Sequence, residues 1–185
     1  MNIILKSVYK DPIWELKMGY YPSPFGLALL AFDSKGNLYA LHFVSEGSIH
    51  AEETLKNSFS EAVWTSNPSG AAQLGKELFS APSESSVSLV LYGTEFQQRV
   101  WSALLQIPVG NTMTYSELAA FAGVPRAVRA VASAVARNQI AYFVPCHRII
   151  PKHGKNVGEY RWGRALKEKL LNSEKEVYGN IDLTT

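Results

Sequence analysis

The feature that most constrains the fold of this 185-residue chain is a polar triplet inside an apolar segment. Residues 143–150 read Phe-Val-Pro-Cys-His-Arg-Ile-Ile, a pattern that otherwise predicts a buried strand. Burying Cys146, His147 and Arg148 without partners costs about 1–3 kcal/mol for each group. The fold must therefore pair these side chains, and polar groups placed against the local pattern often mark a functional site.

Cys146 is the only cysteine, which excludes an intramolecular disulfide and a four-cysteine zinc site. The thiolate is the nucleophilic form of cysteine, and neighbouring cations such as His147 and Arg148 are expected to lower the pKa of the thiol. The alternative is an inert packed cysteine, the commoner case in apolar sequence. Adjacent side chains of a strand point to opposite faces, so a turn or a bridging water must link His147 to the thiol if they act together.

Composition predicts a soluble protein without a signal peptide or membrane span, located in the cytoplasm or, in a eukaryote, the nucleus. The longest apolar run, residues 25–32, is far shorter than the roughly 20 residues of a membrane helix. Charge is uneven: residues 1–90 hold 6 Lys or Arg and 9 Asp or Glu, whereas residues 91–185 hold 12 and 7. A basic second half suggests a polyanionic partner, and chance asymmetry of a solvated surface is the alternative.

The pattern predicts two domains, residues 1–90 and residues 91–185, the first an α/β domain with a small antiparallel sheet. Its predicted elements are strands over residues 20–33, 38–44 and 87–91, a hairpin turn over residues 34–37, and helices over residues 50–59 and 70–79. His42 and His50 lack the spacing of metal ligands, so both are expected to be structural and no metal is predicted.

The second domain is predicted to be mainly helical and to contain a helix-turn-helix. Thr114 and Glu117 have the spacing of a capping box before a helix over residues 115–122, and a second helix follows over residues 126–137. One face of the second helix carries valines. The opposite face carries arginines and small residues, including Arg126, Arg129, Ala130, Ser133 and Arg137. Such a face suits phosphates and close approach to DNA, and a solvent-facing basic helix is the alternative.

These segments together resemble the O6-alkylguanine-DNA alkyltransferases, also called methylated-DNA–protein-cysteine methyltransferases. The resemblance is carried in the family's order by residues 93–101, 107–110, 114–119 and 129–131, by Pro145-Cys146-His147-Arg148, and by residues 158–163. Asn138, Ala141 and Tyr160-Arg161-Trp162-Gly163 resemble the catalytic half of the bacterial adaptive-response regulator. The first 90 residues match only loosely, chiefly at Ser23-Pro24-Phe25-Gly26.

The resemblance implies direct, stoichiometric and irreversible transfer of an alkyl group from O6-alkylguanine in double-stranded DNA to Cys146. O4-alkylthymine is an alternative substrate, the protein is expected to act as a monomer, and no cofactor is implied. In the family, the helix-turn-helix enters the minor groove and the damaged nucleotide is flipped out of the stack. The implied DNA-binding residues are Tyr115, which helps to rotate the nucleotide, Arg129, which fills the vacated space, and Arg126, Ala130, Ser133 and Arg137.

The resemblance also implies a role for each catalytic residue. Cys146 attacks the alkyl carbon and His147 takes the thiol proton through a water. Glu174 orients His147, Asn138 braces the network, and Tyr115 is the expected proton donor to the leaving guanine. The implied substrate pocket is formed by Cys146, Ile149, Tyr160 and Arg161, next to the loop of residues 157–163. Arg148 is expected to be structural.

Two other functions account for only part of the pattern. A binding-only helix-turn-helix regulator explains the basic helix and leaves the Cys146 triplet without a purpose. A cysteine hydrolase explains the thiol and His147 and predicts turnover, but leaves the arginine-bearing helix unexplained. The adaptive-response regulator carries a four-cysteine zinc domain, and its cysteines are absent here, so transcriptional activation is not expected.

Overall fold

The computed structural model describes residues 2–7, 14–44, 50–80, 87–152 and 157–178. The chain forms two compact units, one of residues 1–95 with 139–141 and the other of residues 96–138 with 142–185. The predicted fold class, an α/β unit followed by a mainly helical unit, is confirmed. None of the helices in the described ranges combines the length and the apolar character needed to cross a membrane.

The first unit is built on a six-stranded sheet in the order β1-β6-β4-β3-β2-β5. Its strands are β1 (Asn2–Ser7), β2 (Trp14–Ser23), β3 (Gly26–Phe32), β4 (Leu38–Phe43), β5 (Ala62–Ser66) and β6 (Ser88–Gly93). Strands β2, β3 and β4 pair antiparallel, as predicted, whereas β1 and β4 pair parallel with β6, and β5 pairs parallel with β2. The sheet is mixed because the helices α1 (Ala51–Ser58) and α2 (Pro68–Ser80) separate β4, β5 and β6 along the chain.

The hairpins of this sheet follow local turn chemistry. The predicted turn over residues 34–37 is confirmed: the Asp33 carboxylate accepts hydrogen bonds from the Lys35 and Asn37 backbone N–H groups, at 2.9 and 3.0 Å. The predicted run over residues 20–33 is divided into β2 and β3 by a tight turn that ends at Gly26, whose φ is +125°. Strands β1 and β5 were not predicted, because these edge strands expose Ile3, Leu5 and Val63 and so lack a clear alternation.

The second unit consists mainly of short helices joined by tight turns. Its elements are α3 (Glu95–Leu104), β7 (Met113–Thr114), α4 (Tyr115–Phe121), α5 (Val128–Ala136), a 3-10 turn (Cys146–Arg148), β8 (Ile149–Ile150) and α6 (Arg164–Tyr178). The capping box of α4 is confirmed: Glu117 N donates to Thr114 Oγ1 at 3.2 Å, and Thr114 N donates to Glu117 Oε2 at 2.7 Å. Helix α5 begins two residues later than predicted, since residues 125–126 form a turn.

Residues 139–141 lie beside β4 and are counted with the first unit. Leu41 N donates to the Gln139 carbonyl and Ala141 N donates to the Leu41 carbonyl, both at 2.9 Å. His42 Nε2 lies 2.8 Å from Gln139 Oε1. These contacts agree with the structural role predicted for His42, and they place an anchored segment between Asn138 and Tyr142.

Candidate active site

Cys146 lies in a single turn of 3-10 helix rather than in a strand. The Arg148 N–H closes this turn by donating to the Pro145 carbonyl at 3.0 Å, and the strand begins only at Ile149. The prediction of a continuous strand is therefore wrong at the triplet, and the turn required to bring the polar side chains together is present. Cys146, His147 and Arg148 are all buried, with His147 at 0% exposure.

Asn138 holds the thiol in place. Its Nδ2 atom donates to Cys146 Sγ at 3.1 Å and to the Val144 carbonyl at 2.9 Å, and the side chain is buried. One amide group therefore connects the sulfur to the backbone two residues before it. A donor aimed at sulfur favours the thiolate, so this contact stabilises the charge that forms when Cys146 loses its proton.

The resting thiol is protonated. Burial raises the pKa of Cys146, while the Asn138 amide and the Lys167 ammonium act in the opposite direction without outweighing it. The expectation that His147 and Arg148 lower this pKa is wrong, because both side chains bind Glu174 instead. The thiol must therefore lose its proton to a base as it reacts.

Glu174 of α6 binds three groups through its two carboxylate oxygens: the His147 imidazole, the Arg148 guanidinium and the Gly110 backbone N–H. His147 Nε2 lies 2.7 Å from Oε1, Arg148 Nη2 donates to Oε1 at 2.8 Å, and Arg148 Nε donates to Oε2 at 3.0 Å. The Gly110 backbone N–H donates to Oε2 at 3.1 Å, and Arg148 Nη1 donates to the Ile107 carbonyl at 2.6 Å. Burial acts to raise the pKa of Glu174, but hydrogen bonds from His147 and Arg148 hold it at about 2.

These contacts determine the tautomer of His147. Glu174 is ionised at neutral pH and can only accept, so His147 Nε2 carries the proton. Burial lowers the pKa of His147 despite the opposing effect of Glu174, which makes the neutral imidazole the resting form. Its Nδ1 atom is buried and has no hydrogen-bond partner in the described part of the chain. Nδ1 of His147 is thus a base with a free lone pair, on the residue that directly follows Cys146.

A cavity of about 400 Å³ opens at the thiol. Its lining includes Tyr115, Asn138, Cys146, Tyr160, Arg161 and Trp162. The volume lies within the range of about 300–1,000 Å³ that is usual for small-ligand sites. The structure therefore brings together the predicted nucleophile, its amide partner and the aromatic and cationic side chains of the predicted pocket loop.

Two tyrosines of the cavity lining, Tyr115 and Tyr160, keep their hydroxyl groups protonated. Burial raises the pKa of Tyr115, with a smaller contribution from Cys146. Burial and the neighbouring Cys146 sulfur raise the pKa of Tyr160 well above its usual value. Both groups remain hydrogen-bond donors at neutral pH, and Tyr160 Oη is buried near the Cys146 sulfur and the Tyr142 backbone.

Ile149 does not line the cavity, although the pocket was predicted to include it. Its side chain is buried, and its carbonyl accepts a hydrogen bond from Lys167 Nζ at 2.6 Å.

Lys167 was missed by the sequence analysis: it is buried on α6, and burial lowers its pKa to about 8 although Cys146 and Glu159 oppose this shift. Its only sequence signal is its place on one helix face with Leu170, Leu171 and Glu174.

The basic face of α5 is exposed as predicted. Its exposed residues include Arg126 and Arg137, which flank the helix, and Arg129, Ala130 and Ser133. Val131 and Val135 are buried on the opposite side. Ala134 is also buried, and its carbonyl accepts a hydrogen bond from Trp101 Nε1 at 2.8 Å. Among the residues with a described position, no group of three or more His, Cys, Asp or Glu could hold a metal ion.

Residues 95–176 match the family model "6-O-methylguanine DNA methyltransferase, DNA binding domain". The chain is also similar to the methylated-DNA–protein-cysteine methyltransferase of Kluyveromyces lactis, with 51% identity over 87 residues that cover 47% of this chain and 46% of that protein. The chain spans less than half the length of the first curated relatives that it matches.

Two further similarities extend over most of the chain. The methylated-DNA–protein-cysteine methyltransferase of Methanosarcina acetivorans is 39% identical over 158 residues, which cover 83% of this chain and 95% of that protein. The crystal structure of Mycobacterium tuberculosis OGT in complex with DNA is similar, with a TM-score of 0.66 and 37% identity, over 86% of this chain and 93% of that chain.

Proposed function

Since this chain belongs to the methylated-DNA–protein-cysteine methyltransferase family, we propose that it repairs DNA by transferring the alkyl group of O6-alkylguanine to its own Cys146. The observation that carries the proposal is the buried Cys146 thiol in the cavity wall, which Asn138 holds by a hydrogen bond. The next residue in the sequence, His147, is neutral and is bound to the ionised carboxylate of Glu174. O4-alkylthymine presents the same alkyl–oxygen bond and is the alternative substrate.

Helices α4 and α5 form the proposed DNA-binding motif. As a helix-turn-helix, the pair enters the minor groove with the exposed α5 face leading. The alanine and serine side chains permit close approach and the arginines contact phosphates. Arg129 fills the space left by the flipped nucleotide, and the base enters the cavity at Cys146. The protein acts as a monomer where DNA is present, in the cytoplasm or, in a eukaryote, the nucleus.

The transfer is a direct displacement at the alkyl carbon. The thiol proton passes through a water to His147 Nδ1, and Glu174 stabilises the imidazolium that results. Cys146 Sγ then forms a bond to the alkyl carbon as the bond from that carbon to guanine O6 breaks, and the electron pair remains on guanine. The protonated Tyr115 hydroxyl donates a proton to the leaving base and is later reprotonated by solvent.

The product limits each chain to one reaction. A thioether at Cys146 has no good leaving group, and the sequence contains no second cysteine that could displace the alkyl group. A cysteine hydrolase would instead form a thioester that water cleaves. The protein is therefore a stoichiometric acceptor that is consumed by its own reaction.

The mass of the intact protein tests this function. After mixing with a duplex that contains O6-methylguanine, we expect a gain of one methyl group per chain, located on Cys146 by peptide mapping and ceasing at one equivalent. Cys146→Ala should bind the duplex and gain no mass. An unchanged mass with retained binding would indicate a binding-only regulator. Release of product beyond one equivalent would indicate a hydrolase.

A further inference from the structure

Tyr142 has an unusual backbone conformation four residues before Cys146, the first residue of the active-site turn. Its φ is +67°, and among the described residues it is the one non-glycine residue with positive φ. A bulky aromatic residue disfavours this left-handed region. Such conformations persist where the surrounding structure imposes them, and they are frequent at functional sites.

The chain is fixed on both sides of Tyr142. On the N-terminal side, the Ala141 N–H donates to the Leu41 carbonyl at 2.9 Å. On the C-terminal side, the Val144 carbonyl accepts hydrogen bonds from Asn138 Nδ2 at 2.9 Å and from Cys146 N at 2.8 Å. Hydrogen bonds therefore hold the backbone on both sides of Tyr142, and a positive φ persists where its surroundings impose it.

The conformation places the Tyr142 ring against the imidazole of His147. The two ring centroids are 6.3 Å apart and the ring planes are within 9° of parallel. Tyr160 approaches the same imidazole with its edge, at 6.4 Å and 81°, and Glu174 holds Nε2. His147 is 0% exposed as a result of this surrounding.

We propose that Tyr142 is a positioning residue for alkyl transfer, whose ring covers one face of the His147 imidazole, fixes its orientation and shields that face from bulk water. This inference rests on the proposed function and adds to it a residue outside the cavity lining. The proposed role requires the aromatic ring of Tyr142 and does not require its hydroxyl group.

The charges around His147 define the expected effect of removing the ring. Glu174 favours the imidazolium, while Arg148 and Lys167 disfavour it. Cys146 and Tyr160 lie beside it in their protonated forms. Burial is the largest influence and it lowers the pKa of His147. Water admitted in place of the Tyr142 ring relieves this burial, so the pKa of His147 should rise towards its usual value.

The first test is the pH dependence of methyl transfer in four full-length variants. Tyr142→Phe keeps the ring, Tyr142→Leu removes the ring, and Tyr142→Gly removes it and also accepts the positive φ without strain. Phe143→Leu is the matched control: its ring packs on Tyr142 at 5.0 Å, and His147 is stacked by Tyr142 rather than by Phe143.

Because only the neutral imidazole accepts the thiol proton, a higher pKa of His147 moves the acid limb of the rate to higher pH. We expect Tyr142→Leu and Tyr142→Gly to lose about five- to tenfold at pH 5.5 and almost nothing at pH 8, since an imidazole with the usual pKa of 6.5 is only about one-tenth neutral at pH 5.5. Tyr142→Phe and Phe143→Leu should follow the wild-type profile. An equal loss at every pH, or an unshifted limb in both ringless variants, would overturn the proposal.

The second measurement does not depend on transfer. Titration of the His147 ring by ¹⁵N NMR in the full chain, assigned with His147→Gln, should show a higher pKa in Tyr142→Leu and Tyr142→Gly than in wild type and Tyr142→Phe. An identical titration in all four proteins would contradict the role of the ring. If the wild type gains no methyl group, the proposed function fails while this titration still decides the role of Tyr142.

Discussion

At the scale of single residues, Glu174 links the chemistry of the site to the stability of the fold. Its buried carboxylate accepts hydrogen bonds from the His147 imidazole, the Arg148 guanidinium and the Gly110 N–H. A buried ion pair with few unused donors resists rearrangement, but removing one partner leaves the other charge uncompensated. The acid that orients the base is therefore also a structural residue.

The pH dependence of unfolding should reveal this coupling. The folded-state pKa of Glu174, about 2, lies below its ordinary 4.5, so the folded state binds fewer protons than the unfolded state between these values. The stabilisation, about 3 kcal/mol, is fully present above about pH 4.5 and is lost as pH falls towards 2. Urea unfolding of wild type from pH 7 to pH 3 measures this loss.

Glu174→Gln should lose about 3–5 kcal/mol at pH 7 and show a weaker dependence on pH, because Arg148 remains buried without its carboxylate. Glu168→Gln is the control, since Glu168 forms an exposed i,i+4 pair with Arg164 at 3.4 Å, and about 0.5 kcal/mol or less is expected. Equal effects of the two substitutions would show that the Glu174 network contributes no more than a surface pair.

At the level of secondary structure, one face of α5 packs in the core and the opposite face is the proposed DNA contact. Val131 and Val135 pack inside the unit, while Arg126, Arg129 and Ser133 remain exposed. The side chains that contact DNA in the proposed complex therefore carry little of the packing energy of the second unit. Substitutions on this face should change binding without unfolding the protein.

Two arginines of this face should have different effects on DNA binding. Arg126→Ala, at a proposed phosphate contact, should reduce the slope of log affinity against log salt by about 0.9 and leave transfer at saturating DNA near wild type. Arg129→Ala should weaken binding and also slow transfer, because in the proposed complex its side chain fills the space left by the flipped nucleotide. Fluorescence anisotropy across salt concentrations and single-turnover methyl transfer measure the two effects.

Arg164→Ala is the control for these variants, because Arg164 is an exposed arginine on α6. DNA binding by Arg164→Ala should show the same slope of log affinity against log salt as the wild type. Binding of the wild type that does not depend on salt, or unaltered transfer in Arg129→Ala, would contradict the proposed use of the α5 face.

At the scale of the whole molecule, the two units are interleaved in sequence. Residues 139–141 pair with β4 of the first unit, although the residues before and after them belong to the second. Asn138 and Tyr142, which contact Cys146 and His147, lie immediately outside this segment. The first unit thus anchors the segment between two residues of the candidate active site.

Gln139→Leu should weaken this anchor. The substitution removes the 2.8 Å contact with the buried His42, and we expect a loss of about 1 kcal/mol in the free energy of unfolding. Amide exchange of Ala141, whose N–H donates to Leu41, should accelerate. Gln106→Leu is the control, since Gln106 makes an exposed contact with the Ser102 carbonyl at 3.3 Å. The same exchange rate in both variants would contradict the anchoring role.

Local features were predictable from the sequence alone. The capping box of Thr114 and Glu117, the turn before Asn37 and the valine face of α5 depend on residues within a few positions of one another. The polar triplet at Cys146 was recognised because it interrupts an apolar pattern. Helix α6 was not predicted: Lys167 and Glu174 occupy its buried face and conceal the apolar period.

The fold class, the family, the candidate nucleophile Cys146 and the exposed basic face of α5 could all be predicted from the amino-acid sequence. The protonation states and the hydrogen-bond partners within the site became known only from the three-dimensional structure. His147 and Glu174 are 27 residues apart, and the pKa of Cys146 is raised although two basic residues follow it directly. Burial and hydrogen bonding depend on which distant residues surround a group, and the order of residues along the chain does not contain that information.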